Sequence, residues 1–168
     1  RDLDYTVQPM GRGSFGGNML IASSWRHREE MKRIGRGNAD RRWDVSPQQP
    51  ALAYDLRQNR LIVPAAMLQA PVLDAAMPLA AQYGAFGALV GHELSHAVDA
   101  RGRMVDAAGN VRDWWSSTEA AAWDASGQRV SAIYDAFPYP QLKGVNVNGR
   151  LTRDENMADI AGLELART

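Results

Sequence analysis

The stretch that decides the fold is residues 91–99, which read Gly-His-Glu-Leu-Ser-His-Ala-Val-Asp. Around it, apolar side chains recur near the 3.6-residue period of an amphipathic helix: Phe86, Leu89, Val90, Leu94 and Val98. Gly102 follows as a helix stop. The pattern therefore predicts one helix over residues 85–101 that carries both histidines of the quoted stretch in its interior.

His92 and His96 are two of the three histidines in the chain, and they stand four residues apart. On a helix this spacing places both imidazoles on one face at neighbouring turns, where they can hold one Zn²⁺ at about 2.0–2.1 Å from each nitrogen. Glu93 points about 100° away, so it misses the metal but can reach a water bound to it. The spacing therefore predicts a zinc site in which both histidines are ligands and Glu93 lies beside a water bound to the metal.

A catalytic zinc takes a third protein ligand. The glutamates downstream of the motif are the candidates: Glu119, Glu155 and Glu164. Glu155 stands out because Asp159 lies one helical turn further on, so one carboxylate can bind zinc while the other accepts the N–H of a ligand histidine. Thr152 and Glu155 also form the Thr-x-x-Glu pattern of a capping box. Spacing alone does not choose between these two interpretations.

Asp99 follows His96 by three residues and falls on the histidine face of the helix. It fits either of two roles, a carboxylate that orients a ligand histidine or a surface acid near a helix end. Trp114 and Trp115 are interpreted as core residues, because aromatic pairs usually bury area.

The remaining pattern is mostly helical with a small sheet. Helices are expected over residues 17–34, 72–82 with a break near Pro78, 117–136 and 152–166. Two short strands, residues 51–54 and 60–63, form a hairpin around a longer loop. The fold class predicted from the residues is therefore α+β, mostly α-helical, in a single domain spanning residues 1–168.

Composition excludes several classes of function. Of the 168 residues, 45% are hydrophobic and 23% charged, which is ordinary for a globular domain, and no apolar run is long enough to span a membrane. The net charge is zero, so no whole-molecule field attracts nucleic acid. There is no cysteine, which excludes thiolate chemistry and disulfides. Residues 11–16 match G-x-G-x-x-G but follow no apolar strand, and His27 lies in a charged run expected to be solvated.

Several separate segments resemble the neprilysin-like zinc metallopeptidases, a family that includes bacterial oligopeptidases. Residues 91–99 resemble its GHExxHxxD helix, and residues 106–115 resemble the segment that follows. Residues 148–152 and 155–159 resemble its NGxxT and ENxAD motifs, and residues 60–69 resemble a strand and turn rich in Val, Pro, Ala and Gln. The resemblance covers most of the chain.

This resemblance implies a thermolysin-like (gluzincin) catalytic core built on the HExxH helix. It implies one Zn²⁺ held by His92, His96 and Glu155, Glu93 as general base, and Asp159, with Asp99, beside the ligands. It further implies that an oligopeptide substrate pairs with the edge of the small sheet. No nucleic acid or membrane span is expected as a partner of this chain.

Two departures from the family pattern qualify that expectation. An Asn-Ala pair that binds the substrate backbone in the family is replaced by Ala51 and Leu52, so the side-chain amide is lost. The chain also reads as a fragment, expected to act with the missing remainder of the peptidase, which carries a helical N-terminal domain and a C-terminal histidine and arginine. The alternative function is a zinc-binding module without turnover. The lack of cysteine is more consistent with a bacterial member of the family than with its disulfide-bonded animal ectoenzymes. A bacterial periplasmic or secreted location is expected in preference to a cytoplasmic one.

Overall fold

The computed structural model describes residues 8–35 and 45–168, which fall into two compact units. The first unit contains helix α1, Phe15–Met31. It begins earlier than expected because the Ser14 hydroxyl accepts a hydrogen bond from the Gly17 N–H at 3.0 Å. Residues 8–14, which precede it and contain part of the G-x-G-x-x-G match, form no strand. A single domain over residues 1–168 therefore stays a prediction.

The second unit contains a two-stranded antiparallel sheet and four helices. Strands β1 and β2 are Ala53–Asp55 and Arg60–Ile62, with Ala53 opposite Ile62. The helices are α2 Leu79–Gln82, α3 Ala88–Ser95, α4 Ser117–Asp135 and α5 Arg153–Arg167. Single 3₁₀ turns lie at Ala65–Met67, His96–Val98 and Gly102–Met104. The α+β class with a small sheet is confirmed, and none of the described helices is long and apolar enough to cross a membrane.

The predicted helix over residues 85–101 is wrong at both ends. A π-helical turn, Tyr83–Gly87, joins α2 to α3, so the helical run begins at Leu79 after Pro78. Regular α-helix stops at Ser95, and one 3₁₀ turn leads to Asp99, whose backbone is extended. The helical run ends there because the backbone N–H groups of Arg101 and Gly102 donate to the Asp99 carboxylate, so they are not used to extend the helix. The expected helix over residues 72–82 reduces to its part after Pro78.

The predicted caps of the last two helices have opposite outcomes. For α4 the prediction is confirmed: Ser116 and Glu119 form a reciprocal capping box. For α5 it is wrong, because the Thr152 side chain caps no backbone N–H. Thr152 Oγ1 instead accepts a hydrogen bond from Asn156 Nδ2 at 2.8 Å. The Glu155 side chain is therefore not used in capping.

Helices α3 and α5 touch through two glycines. A Cβ built on Gly91 would lie 2.9 Å from the Cα of Gly162. A Cβ on Gly162 would lie 2.3 Å from the carbonyl oxygen of Ala88 and 2.7 Å from the backbone nitrogen of His92. Real side-chain carbons do not approach backbone atoms so closely, so only glycine permits this separation of the two helices.

We expect Gly162→Ala to lower the free energy of unfolding by about 1–3 kcal/mol, the usual cost of overpacking, although alanine favours a helix interior. Denaturant unfolding measures this change. Gly16→Ala is the control, because a Cβ at that helical position meets no atom within 4 Å. Equal effects of the two substitutions would contradict the close contact.

Candidate metal centre

The two histidines of the motif lie side by side at the end of α3. His92 belongs to the last turn of the helix, and His96 begins the 3₁₀ turn that follows. Their ring centroids are 5.0 Å apart and the ring planes are nearly perpendicular, at 84°. The predicted placement of both imidazoles on one face is therefore observed, although the regular helix ends between them.

Glu155, in the first turn of α5, completes a group of three side chains that converge. Its Oε2 lies 3.3 Å from Nε2 of His92 and 3.9 Å from Nε2 of His96. One ligand atom from each of the three residues falls within 4.8 Å of the other two. Atoms bound to one tetrahedral zinc at about 2.0–2.1 Å lie roughly 3.3 Å apart. Two imidazole nitrogens and one carboxylate oxygen are also ligands that zinc prefers, so the residues present fit this metal.

The other nitrogen of each imidazole is held by a different carboxylate. His92 Nδ1 lies 2.8 Å from Oδ1 of Asp159, and His96 Nδ1 lies 2.8 Å from Oδ2 of Asp99. A carboxylate accepts only, so each Nδ1 carries the proton and donates. Each Nε2 is then left with a lone pair directed to the side of Glu155. The two aspartates thus select the tautomer that a metal ligand requires.

The Asp99–His96 pair is the more protected of the two. Asp99 is buried, and its Oδ1 accepts hydrogen bonds from the backbone N–H groups of Arg101 and Gly102, each at 2.8 Å. Burial alone would raise the pKa of Asp99, but the hydrogen bonds from His96 and from these N–H groups hold that pKa below its usual value. The hydrogen bond to Asp99 raises the pKa of His96, against an opposing effect of burial.

Glu93 follows His92 on α3 and is half-buried. Among the described residues, no hydrogen bond or ion pair engages its carboxylate, although its charge contributes to the raised pKa of His96.

The loop before α5 is tied to the end of α4. The Gly149 N–H donates to Oδ1 of Asp135 at 2.7 Å, and Nδ2 of Asn146 donates to the Asp135 carbonyl oxygen at 2.9 Å. These bonds fix where α5 begins and so help to place Glu155.

The cluster is open on its α5 side. The His92 and His96 side chains are 16% and 20% exposed, whereas those of Glu155 and Asp159 are 70% and 65% exposed. A ligand can therefore approach the three converging atoms from that side.

The structure distinguishes among the three glutamates that sequence spacing left as candidates for a third metal ligand. Glu119 caps α4, and Glu164 pairs with Arg167 at 2.8 Å, so neither joins the cluster. Trp114 is 41% exposed, which departs from the expectation of a core residue, but its indole N–H donates to the Gly102 carbonyl oxygen. Sequence reasoning missed Gly91 and Gly162; glycines inside helical patterns are the signal that could have found them.

Comparison with known proteins gives a consistent result. The family model described as Peptidase family M13 matches residues 53–168. The chain is 36% identical over 143 residues to endothelin-converting enzyme 1 of Bos taurus, which covers 85% of this chain and 18% of that protein. It is 38% identical over 115 residues to neprilysin-1 of Caenorhabditis elegans, covering 67% of this chain and 15% of the relative. The chain thus spans about a fifth of these curated relatives.

Solved structures match in the same way. The zinc metalloprotease ZMP1 of Mycobacterium tuberculosis, in complex with an inhibitor, superposes with a TM-score of 0.87 at 29% identity, over 98% of this chain and 26% of that one. PepO of Lactobacillus rhamnosis gives a TM-score of 0.69 at 36% identity, over 75% of this chain and 20% of that one. The family match covers more than half of the chain and includes every residue of the histidine–glutamate cluster, and we conclude that the chain belongs to peptidase family M13, the neprilysin family.

Proposed function

We propose that this chain is the zinc-binding catalytic region of an oligopeptidase that hydrolyses peptide bonds. One observation carries the proposal: Nε2 of His92, Nε2 of His96 and a Glu155 oxygen converge while each Nδ1 donates to an aspartate. A single zinc ion, when bound by these three side chains, would act as a Lewis acid on the scissile carbonyl and acidify a water molecule. Membership of the M13 family supports zinc as the metal.

In this proposal Glu93 is the general base. Its carboxylate would accept one proton from the attacking water, whose oxygen forms the new bond to the carbonyl carbon of the peptide. The same proton would then pass to the amine nitrogen as the C–N bond breaks. Asp99 and Asp159 would keep the imidazoles oriented throughout, since each accepts the proton-bearing Nδ1 of a ligand.

The proposed substrate is an extended oligopeptide that pairs with the free edge of the β1–β2 hairpin. Among the described residues the sheet consists of these two strands, and an extended peptide can add to the edge of such a sheet as a further strand. We propose that the remainder of a longer peptidase completes the site, because the relatives are about five times longer. A bacterial periplasmic or secreted location stays a prediction.

A second candidate is a zinc-binding module without turnover. It is favoured by Ala51, which carries no side-chain amide where the family pattern has one. It is disfavoured by Glu93, because a purely structural zinc has no use for a general base. A quenched oligopeptide, assayed with and without added zinc, distinguishes the two functions: zinc-dependent cleavage supports the peptidase, and zinc binding without cleavage supports the module.

The first prediction concerns the metal. His92→Ala and His96→Ala should each remove stoichiometric zinc, because a site with two remaining protein ligands binds zinc weakly. Metal analysis after gel filtration measures the zinc content. His27→Ala is the matched control, since that histidine is exposed on α1 and should leave zinc unchanged. Stoichiometric zinc in the double variant H92A/H96A would contradict the assignment.

The second prediction concerns Asp159. Asp159→Ala should weaken zinc affinity by about 10–100-fold without preventing saturation at high zinc, because the Nδ1–H of His92 loses its acceptor. Competition with a chromophoric chelator measures the affinity. Glu164→Ala removes another exposed carboxylate from α5 and should have no effect. Equal affinities in the two variants would mean that Asp159 is only a surface acid.

The third prediction separates binding from chemistry. Glu93→Gln keeps the shape of the side chain but cannot accept a proton, so peptide hydrolysis should fall by at least about 10²-fold while zinc content is retained. Zinc content and peptide cleavage are measured side by side in the complete peptidase to which this region is proposed to belong. Near-normal cleavage by the Gln variant would refute the base role of Glu93.

A further inference from the structure

Two arginines and two tryptophans form a continuous stack between the segment after His96 and the start of α5. The guanidinium carbon of Arg103 lies 5.4 Å from the ring centroid of Trp115, and that of Arg153 lies 4.7 Å from the ring centroid of Trp123. The two indole rings are 6.2 Å apart and tilted by 55°. Both cations are within the distance at which a cation–π contact is attractive. We call these four residues the Arg–Trp stack.

The Arg153 side chain is fixed along its whole length. Its stem crosses Gly127 of α4, where an added Cβ would lie 2.7 Å from Cδ of Arg153. Trp123 stands four residues before Gly127, so both lie on one face of α4. Nε of Arg153 donates to Oδ1 of Asp154 at 2.9 Å. The side chain is 26% exposed, and its position is determined by contacts on α4 and in its own helix turn.

The other end of the stack is anchored beside the acceptor of His96. Arg103 pairs with Asp113, and its carbonyl oxygen accepts a hydrogen bond from the Trp114 N–H at 3.1 Å. Arg103 directly follows Gly102, whose N–H donates to Asp99. The stack therefore connects the segment that holds one ligand histidine with the helix turn that carries Glu155.

The Gly91–Gly162 contact between α3 and α5 lies far along α5 from Glu155. Gly162 is almost two helical turns beyond Glu155, and the loop before α5 is held to Asp135 of α4, so neither contact lies in the helix turn that carries Glu155. Arg153 is only two residues before Glu155. The Glu155 side chain is 70% exposed, and its only polar contacts within the described part of the chain are those with His92 and His96.

We propose that Trp123 and Arg153 are positioning residues for the third metal ligand. The cation–π contact holds the first turn of α5 against α4, and Glu155 is thereby preorganised opposite the two imidazoles. Neither residue touches the metal-binding atoms. The inference rests on the proposed zinc site and adds to it a determinant of zinc affinity that lies outside the ligands.

Arg153→Met is the main test, because methionine keeps an unbranched stem over Gly127 and removes the cation. We expect the dissociation constant for zinc, measured by chelator competition, to rise about 3–30-fold, the range that corresponds to a cation–π contact. Arg153→Lys keeps a cation for the ring and should restore most of the affinity. Arg129→Met is the matched control, since this α4 arginine donates to Ser126 Oγ and is not one of the four residues of the Arg–Trp stack.

Gly127→Ala tests the same contact without changing either partner. Alanine favours the helix interior, but its Cβ would displace Arg153 from the ring of Trp123. We expect zinc affinity to fall about as much as in Arg153→Met, while the circular dichroism of the zinc-free protein stays that of the unaltered chain. Gly16→Ala, at an uncrowded helical position, should leave affinity unchanged.

Cobalt substitution supplies a readout that a general loss of stability would not change. The visible absorption of bound Co²⁺ reports its coordination, and at saturation the Arg153→Met spectrum should shift toward that of Glu155→Gln. Unchanged zinc affinity and an unchanged Co²⁺ spectrum in Arg153→Met would overturn the positioning role while leaving the zinc site intact. Failure of the unaltered chain to bind zinc would overturn both proposals.

Discussion

The contact between α3 and α5 is the constraint on which the candidate site depends. The two helix backbones touch at Gly91 and Gly162, and a Cβ on either glycine would collide with the facing helix. Only at this separation can Asp159 reach His92, 67 residues away in the sequence, with a hydrogen bond of 2.8 Å. A site divided between two helices requires the helices to be placed with the precision of the ligand bonds. Direct backbone contact achieves this, because it removes flexible side chains from the interface.

The end of the histidine helix serves the same site. A regular helix through residue 101 would leave Asp99 as one more helical side chain, whereas the observed 3₁₀ turn and extended Asp99 let its carboxylate hold His96 and two backbone N–H groups at once. Those hydrogen bonds offset the cost of burying a carboxylate, and they keep its pKa low. Because the regular helix ends at Ser95, the Asp99 carboxylate can reach and orient His96.

The two histidine–aspartate pairs differ in burial and in whether their geometry is local to one segment. The pair of His96 and Asp99 is largely buried and belongs to one continuous segment, so its geometry is local. The pair of His92 and Asp159, like Glu155, depends on where α5 lies, and both α5 carboxylates are exposed. Exposed ion pairs contribute little by themselves. Packing at the two glycines contributes to the orientation of α5, and the positioning role proposed for Arg153 and Trp123 would add to it.

Local sequence signals were enough to predict a pair of histidines that could share a metal ion. On a helix, the spacing of His92 and His96 places both imidazoles on one face, and the contacts to Asp159 and Asp99 then show that Nε2 of each is the nitrogen left for a metal. The hairpin and the α4 cap were likewise predictable, because turn and capping signals are local. Residue spacing left open whether Glu155 joins the histidines or caps α5, and the motif resemblance implied the first. The tertiary structure brings Glu155 to the histidines, keeps Glu119 and Glu164 away from them, and ends the histidine helix at Ser95. The physical reason is that capping and ligation use the same carboxylate within the same few residues. Which of the two roles Glu155 takes depends on how closely α3, which is distant in sequence, approaches the start of α5. Residue spacing within one segment does not encode that distance.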